Sequence, residues 1–445
     1  MDLWILQAAR VLGRRAAEGN ARSSLDQLVL GEARPEHAAD GLDPSLAFTL
    51  RLSRALLGCG MPAHRVEEAL EELAEALELD IDALCMPTAL VITMSRRGAT
   101  RTEEVRTRVV RVEPGGSNLE RLSALHDLTR RVRNKELTPG EAAIRVDQIL
   151  ERGGRHPALV VMAAFALLGA AGAVLLGGSG LDVPIAGGLG AVVGALESTA
   201  RRVPTLARLL PAVAAATVSF LAAAIASLGL AMRPSVVLLA AIIVLLPGLT
   251  VTTATLELAS AHLVSGTARM MGGFVTFLQL GFGVALGRVP AALLPQYDAP
   301  PEPDALPRAA TIAAAVASAI GFAIILHARR RDLGWILVAV GIALFGSQLG
   351  GLWLGAELGA FVGAASVAAA SHAFARRFDR PVNLMLTPGT LLLVPGSVGF
   401  LSISSLLEHD PATAVATAFR MALVAMAIAA GILVATAAVP PRRAY

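Results

Sequence analysis

The sequence predicts an α-helical membrane protein of ten spanning helices, preceded by a small α+β domain. Two observations lead to this prediction. Of the 445 residues, 55% are hydrophobic and only 16% are charged, with a mean hydropathy of +0.63, whereas soluble domains carry about 25% charged residues. The apolar residues are also concentrated in one part of the chain, because Arg and Glu are frequent up to about Pro157 and long stretches of Ala, Leu, Val and Gly follow.

The shift in composition divides the chain into five segments. They are a leader or linker at 1–43, an α+β domain at 44–156, a five-helix membrane half at 157–292, a Pro-rich connection at 293–308 and a second five-helix half at 309–445. No secretory signal is expected, because the leader's short apolar run precedes its arginines instead of following them. An amphipathic surface helix and a poorly ordered segment remain alternatives for the leader. Cys59 and Cys85 are too few for a disulfide framework and are expected to be thiols of a reducing compartment.

In the N-terminal domain, the pattern predicts four helices and two strands. The helices are expected at 47–57, 62–77, 118–133 and 139–151, and the strands at 89–94 and 105–112, which are rich in β-branched residues. Thr138 and Glu141 form a capping box for the last helix.

Catalysis by the N-terminal domain is an alternative that the sequence does not favour. Its candidate polar residues are His64, Arg65 and Glu67, but Arg65 stands at the helical spacing of an ordinary ion pair with Glu68. The sequence lacks a Gly-rich phosphate loop, a metal-ligand spacing and a nucleophile motif. A structural or regulatory role is therefore favoured over an enzymatic one, and we expect no cofactor, metal or nucleic-acid partner. Because the sequence contains no Walker motif, ATP is not expected to be the energy source.

Ten stretches have the length and apolarity of a spanning helix. They are 158–177, 183–200, 207–230, 234–252, 270–289, 309–327, 333–351, 353–374, 383–404 and 412–438. Arginines cluster after the second, sixth and eighth stretches and at the C-terminus, at 201–208, 329–331, 376–380 and 442–443. Because positive residues collect on the cytoplasmic side, both termini are expected to be cytoplasmic.

The connection at 293–308 separates the spans into five and five, which predicts that the second half is inverted relative to the first. The fourth span of each half carries a Pro-Gly pair, Pro247-Gly248 and Pro395-Gly396, and the second has an earlier Pro388-Gly389. Proline and glycine together tend to break a helix. A single pair would be explained by a simple kink, whereas matched pairs predict unwound backbone at a substrate site.

A few polar residues within the spans are candidates for function. Thr250 and Ser397 follow the Pro-Gly pairs and are expected to line the substrate site. Arg269 and Arg420 could attract a carboxylate or extend to the interface. Glu357 is a candidate proton carrier, because a charge at the bilayer centre costs about 2.5–3.5 kcal/mol, and the alternative is a solvated position at the outer interface.

Glycines recur at every fourth position at Gly351, Gly355, Gly359 and Gly363. Such a face of small residues permits close packing of helices. The partner helix belongs either to the same chain or to a second copy in a homo-oligomer.

Several short motifs occur in a fixed order along the chain. They are GMPAHRVEE at 60–68, LCMPT at 84–88, Asn118-Leu119, Leu137-Thr138, LPG at 246–248, SGTAR at 265–269, and Pro381 through Pro388-Gly389 to VPGS at 394–397. In this order, and with five plus five spans, the chain resembles the threonine/serine exporter family over about residues 44–438. The resemblance implies a bacterial plasma (inner) membrane protein that exports threonine and serine, driven by the proton motive force.

Two other functions are kept as alternatives. Family relatives that are split into two chains are linked to dicarboxylate export, and a dianion would need Arg269 and Arg420 as compensating cations. The third hypothesis is a membrane-anchored enzyme that acts through residues 44–152. The fused form of this chain favours the amino acid over the dicarboxylate.

Overall fold

The computed structural model describes residues 43–98, 105–113, 115–151, 156–295, 306–407 and 410–439. The predicted leader, most of the Pro-rich connection and the C-terminal arginines at 442–443 lie outside the described residues.

The N-terminal domain consists of four helices and a three-stranded antiparallel sheet in the order β1-β2-β3. Its elements are α1 Pro44–Gly58, α2 Ala63–Leu77, β1 Leu79–Met86, β2 Ala89–Arg96, β3 Arg106–Arg111, α3 Leu119–Arg133 and α4 Pro139–Glu151. All four predicted helices and both predicted strands are confirmed. The sequence prediction missed β1, because Asp80 and Asp82 made this segment resemble a polar loop. Both aspartates lie on the open face of the sheet, since burial alternates along the strand.

One face of the sheet and the apolar sides of the helices form the core of this domain. Leu90, Ile92 and Met94 of β2 are fully buried against Phe48 and Leu52 of α1. The capping box at the start of α4 is confirmed, since Thr138 N donates to the Glu141 carboxylate at 3.2 Å and Glu141 N donates to Thr138 Oγ1 at 3.4 Å.

The two cysteines are free thiols buried in the N-terminal domain. Burial raises the pKa of Cys59 to about 11. Burial and the neighbouring Glu67 carboxylate also raise the pKa of Cys85. Both thiols are therefore neutral at physiological pH and poor nucleophiles.

The membrane part follows the predicted order of spans. Its helices are α5 Ala158–Leu175, α6 Asp182–Ala200, α7 Pro204–Ala226, α8 Pro234–Ala241, α9 Gly248–Ala259, α10 Leu263–Ala291, α11 Arg308–Ile325, α12 Leu333–Leu354, α13 Ala356–Phe378, α14 Asn383–Leu393, α15 Gly396–Leu407 and α16 Pro411–Ala438, with 3₁₀ turns at Ile243–Leu245 and Arg330–Asp332.

Within the described residues, nine helical segments are long and apolar enough to cross a membrane, or ten when the bent segment formed by α8 and α9 counts as one span. That segment bends by 52° at its break.

Large apolar side chains such as Phe282, Phe345 and Leu423 are exposed on the outside of the bundle. Exposed apolar surface of this kind is expected where a helix faces lipid.

The repeated glycines at positions 351, 355, 359 and 363 lie where two helices of the same chain pack together. A Cβ on Gly359 would lie 2.6 Å from Ser347 O of α12, and one on Gly363 would lie 3.1 Å from Ala343 O. These two glycines therefore allow α13 to approach α12 closely. Gly355 has φ +85° in the turn between the two helices, a conformation that L side chains rarely adopt.

The two membrane halves correspond at several positions. Asp182, at the start of α6, pairs with Arg233, the residue directly before α8, at 3.3 Å. Asp332, directly before α12, lies 3.7 Å from Arg380, close to the start of α14. In each half, an aspartate at the start of the second span thus reaches an arginine ahead of the fourth. These correspondences support the inverted repeat, which remains a prediction.

The N-terminal domain contacts one face of the membrane bundle, which we call the domain face and define by the loops at 260–262, 326–329 and 379. Leu119 N, at the start of α3, donates to Leu326 O at 2.9 Å, and Glu120 N donates to His327 O at 3.2 Å. Arg130 also lies 3.5 Å from Asp379. The predicted grouping of the loops after the sixth and eighth spans with the N-terminal domain is confirmed. Which side of the membrane this face occupies remains a prediction.

Candidate functional site

Both predicted Pro-Gly pairs interrupt helices. In the first half, α8 ends at Ala241, a 3₁₀ turn follows, and Leu246 is extended (φ −66°, ψ 129°) before Pro247 and α9. In the second half, α14 ends at Leu393 and Val394 is extended (φ −61°, ψ 139°) before Pro395 and α15. The residue before each proline adopts the extended backbone that proline imposes on it.

The two breaks lie against each other. A Cβ placed on Gly248 would lie 3.0 Å from the Gly396 amide nitrogen and 3.0 Å from the Val394 Cβ. A Cβ placed on Gly396 would in turn lie 3.0 Å from the Leu246 Cβ. We call this contact, formed by residues 246–248 and 394–396, the crossing. Only a residue without a side chain lets the two backbones approach this closely.

Two helix N-termini meet at the crossing. The first intrahelical bonds of α9 and α15 are Val251 N to Pro247 O at 2.9 Å and Gly399 N to Pro395 O at 3.0 Å. The backbone amides at 248–250 and 396–398 therefore have no acceptor within their own helix. Helix N-termini carry partial positive charge and bind anionic groups such as carboxylates.

Hydroxyl groups lie within one turn of the crossing. Thr252 Oγ1 is buried and has no hydrogen-bond partner among the described residues. Ser397 is half-buried in the first turn of α15. Thr250 directs its methyl group toward α10, since its Cγ2 lies 3.8 Å from a Cβ placed on Gly273.

Pro388 and Gly389 lie away from the crossing. Both are buried inside α14, which continues through them to Leu393. A Cβ on Gly389 would lie 2.6 Å from Val367 Cγ1 of α13. This glycine therefore serves helix packing, and in the second half the helix is interrupted at Pro395-Gly396.

A buried ion pair joins α9 and α10 at the domain face. Glu257, fully buried near the end of α9, accepts hydrogen bonds from Arg269 Nε at 3.0 Å on both carboxylate oxygens and from Ser265 Oγ at 2.8 Å. Its Oε1 also accepts the backbone amide of Ala63, the first residue of α2, at 2.9 Å. One carboxylate thus connects two membrane helices with the N-terminal domain.

Glu257 was not among the site residues expected from sequence. The signal that could have found it is an acidic residue within an apolar stretch, because such residues are rare and usually paired.

His64 and Glu67 face the membrane part of the protein. Glu67 Oε2 lies 2.9 Å from His262 Nε2, and its Oε1 accepts the Cys85 amide at 2.9 Å. The His64 and His262 rings are 5.8 Å apart. Burial, together with the nearby positive charges of Arg65, His262 and Arg269, lowers the pKa of His64 to about 3. Arg65 pairs with Glu68 at 2.7 Å, which confirms the predicted surface pair.

Glu357 and Arg420 form an ion pair of 2.8 Å. Glu357 lies in the first turn of α13, close to the turn at Gly355, and its side chain is 40% exposed. Arg420 lies in the third turn of α16. Both arginines considered as cations for a dianion, Arg269 and Arg420, therefore have a carboxylate partner in this structure.

A cavity of about 180 Å³ extends from the domain face toward the first break. Its polar lining consists of Glu197 and Arg201 at the end of α6, with His156 and His327 from the segments flanking α5 and α11. Its inner wall includes Val244 and Leu245, in the 3₁₀ turn directly before the crossing. No group of three or more His, Cys, Asp or Glu side chains in the described parts of the chain could hold a metal ion.

These features define a multi-span membrane protein with two interrupted helices in contact and an N-terminal domain bound to one face, an arrangement compatible with a membrane transporter. Two family models match the chain. "Putative threonine/serine exporter" matches residues 47–289, and "Threonine/Serine exporter, ThrE" matches residues 311–438. Since the first alone covers more than half of the sequence, the chain belongs to the threonine/serine exporter family of membrane transporters.

Curated relatives include yeast proteins named pheromone-regulated membrane protein 10. The chain is 31% identical over 162 residues to that of Kluyveromyces lactis, which covers 36% of this chain and 16% of the relative. It is 32% identical over 166 residues to that of Debaryomyces hansenii, with 36% and 16% covered. For Saccharomyces cerevisiae the identity is 32% over 162 residues, with 36% and 20% covered. The matched region thus spans a fifth or less of these relatives, and no solved structure matches the chain.

Proposed function

We propose that this chain exports threonine, serine and similar small amino acids, and that the substrate binds at the crossing. The observation that carries this proposal is the meeting of two helix N-termini at Gly248 and Gly396. Two positive helix ends in contact repel each other unless a negative group lies between them. The α-carboxylate common to all amino acids is a suitable group, because it accepts hydrogen bonds from several backbone amides at once.

The remaining groups near the crossing suit the other end of a small amino acid. The extended backbone at Leu246 and Val394 frees carbonyl groups that can accept hydrogen bonds from an ammonium group. The Thr252 hydroxyl has no partner among the described residues, and together with Thr250 and Ser397 it can bond a hydroxyl side chain such as that of threonine or serine.

The charge distribution favours a zwitterion over a dicarboxylate. A dianion requires compensating positive charge, and the two candidates, Arg269 and Arg420, are engaged by Glu257 and Glu357. A substrate carboxylate that bound Arg269 or Arg420 would displace the glutamate from that arginine. The displaced glutamate would then have no cation, which is costly for the buried Glu257. Export of succinate is therefore an alternative outcome of the efflux experiment described below.

For the transport cycle, we propose rocking of one half against the other around the crossing, coupled to protons. Glu357 is the proposed proton carrier. In this structure its carboxylate is paired with Arg420 at 2.8 Å, and the proposed cycle separates the two side chains. Replacement by Gln should leave substrate binding intact and remove the dependence of efflux on the proton gradient.

The N-terminal domain is proposed to be cytoplasmic, in the plasma membrane of a bacterial cell, with a positioning role and no catalytic one. Arginines at 329–331 and 376–380 collect on the domain face, as expected for a cytoplasmic side. Through Glu257, this domain fixes the end of α9, the half-helix that starts at the crossing. Hydrolytic activity of the isolated domain that depended on His64 or Glu67 would contradict this role.

The test is efflux of labelled threonine from proteoliposomes, with and without a proton gradient. We expect gradient-dependent efflux that is lost when Pro395 and Gly396 are both replaced by alanine. A matched control is Gly272→Ala in α10, where a Cβ meets no atom within 4 Å. Efflux of labelled succinate without threonine would retain the transporter and refute the substrate. Efflux of neither compound by the wild-type protein would refute the proposed function.

A further inference from the structure

The cavity between Glu197, Arg201, His156 and His327 has the chemistry of a second substrate site. Its volume of about 180 Å³ is about six times the volume per molecule in liquid water, which is enough for a small amino acid. Its walls come from α5, α6, α11 and the 3₁₀ turn at Ile243–Leu245. Both membrane halves therefore contribute to it.

The polar groups of this cavity carry charges of both signs. Glu197 and Arg201 lie one helical turn apart at the end of α6, with Glu197 Oε1 3.3 Å from Arg201 Nε. Their side chains are 25% and 32% exposed. Among the described residues, the second carboxylate oxygen of Glu197 and the terminal nitrogens of Arg201 have no further partner. These groups remain available to a ligand.

Two histidines occupy the domain-face side of the cavity. The His156 and His327 rings stack with centroids 5.1 Å apart and an interplanar angle of 5°. His327 has φ +51° in the loop that follows α11 and accepts the Glu120 amide from the N-terminal domain. The N-terminal domain therefore contacts the loop that carries His327, one of the lining residues of the cavity.

The inner wall connects the cavity with the crossing. Val244 and Leu245 line the cavity, and the next residue, Leu246, lies against Gly396. A molecule in the cavity is thus separated from the crossing by the one 3₁₀ turn that precedes Pro247.

We propose that this cavity is an access site that binds a zwitterionic amino acid before it reaches the crossing. Glu197 binds the ammonium group and Arg201 the carboxylate, while Val244 and Leu245 contact the aliphatic part. This inference rests on the proposed function, because it presumes an amino acid as substrate. A dicarboxylate is disfavoured here, since Glu197 repels its second negative charge.

The test uses the full-length protein in proteoliposomes and measures the half-saturating concentration of threonine on the domain-face side. Glu197→Gln and Arg201→Gln each remove one of the two charges and should each raise this concentration by about tenfold or more. The maximal rate should change less, because the crossing is intact. Glu136→Gln, which removes an exposed pair with Arg131 at 3.9 Å, is the control and should leave both parameters unchanged.

Competing analogues separate a binding role from a structural one. N-acetylthreonine lacks the ammonium charge, so it should inhibit the Glu197→Gln variant more strongly than wild type. Threonine amide lacks the carboxylate and keeps its positive charge, so it should inhibit the Arg201→Gln variant more strongly than wild type. A variant with merely distorted structure would show neither pattern.

Three outcomes decide whether the cavity is an access site. A raised half-saturating concentration of threonine in both variants, together with the two analogue patterns, supports the access site. Half-saturation within twofold of wild type in both variants, in a protein that transports threonine, overturns the access site and leaves the proposed function standing. A wild-type protein that transports no threonine removes the proposed function itself, together with this inference.

Discussion

The backbones of Gly248 and Gly396 are in contact, although 147 residues lie between them in the sequence. Each glycine begins the second half of an interrupted helix, so the contact brings two helix N-termini together. It is one of the places where the two membrane halves meet. It also provides most of the backbone donors on which the proposed substrate site depends.

Gly248→Ala should reduce the initial rate of threonine efflux by at least about tenfold, with protein still inserted in the membrane. The added methyl group would lie 3.0 Å from the Gly396 nitrogen and the Val394 Cβ, so the two breaks must separate. Such overpacking costs about 1–3 kcal/mol. Gly396→Ala should have a similar effect. Because both changes disturb one contact, the double variant should be less impaired than additivity predicts. Activity of Gly248→Ala equal to that of Gly272→Ala would contradict the role of the crossing.

Glu257→Gln should lower the free energy of unfolding by about 3 kcal/mol, because it leaves Arg269 without its buried partner. Thermal unfolding of the purified protein in detergent measures the change. Glu68→Gln is the matched control, since its pair with Arg65 is 44% exposed on the glutamate side, and exposed pairs contribute at most about 1 kcal/mol. Equal unfolding temperatures for the two variants would show that the Glu257 network does not stabilise the fold.

Asp182→Asn should also destabilise the protein, by about 2–4 kcal/mol. The fully buried Asp182 carboxylate accepts the Ser179 amide at 2.7 Å and the Arg233 amide at 2.8 Å, besides its ion pair with the Arg233 side chain. An asparagine would direct an NH₂ group at one of these donors. Asp80→Asn serves as control, because its pair with Arg97 at 3.8 Å is more than half exposed. An unfolding temperature for Asp182→Asn as high as that of the control would refute the prediction.

His64 should make the folded protein less stable in mild acid. In the folded state its pKa is about 3, while in the unfolded chain it is about 6.5. Between these two pH values the unfolded chain binds more protons, so the free energy of unfolding falls as the pH falls from about 6.5 toward 3. The slope from one such group is at most about 1.4 kcal/mol per pH unit.

The measurement is a series of thermal unfolding curves between pH 7.5 and pH 4.5 for wild type and His64→Gln. The stability of the variant should fall less steeply with falling pH than that of wild type, because glutamine does not titrate. Above pH 7 His64 adds no pH dependence to the stability of either protein. The difference in unfolding temperature between wild type and His64→Gln should therefore be constant there. Identical slopes below pH 6 would mean that His64 titrates normally.

Much of the architecture could be predicted from the sequence, because its signals are local. The ten apolar stretches, the helices of the N-terminal domain and the Thr138 capping box depend on residues close together in the chain. The Pro-Gly pairs indicated helix breaks for the same reason. A local signal also led to a wrong prediction. Asp80 and Asp82 concealed strand β1.

The arrangement of the candidate site could not be predicted, because it depends on contacts between distant segments. Glu257 is distinguished from other polar residues only by the simultaneous approach of Arg269, Ser265 and Ala63. The same holds for the cavity, in which Glu197 and Arg201 would be an ordinary surface pair without the walls from α5 and α11.

The sequence by itself determined the membrane character of this protein, the positions of its spans, its two helix breaks and its family resemblance, because hydropathy, proline geometry and motif order are properties of the chain. The tertiary structure alone decided which residues meet: Gly248 with Gly396, Glu257 with the N-terminal domain, and Glu357 with Arg420. The physical reason is that a spanning helix can be recognised from its own apolarity. The partner of a buried charge, or the fit of two backbones, depends on how the helices pack.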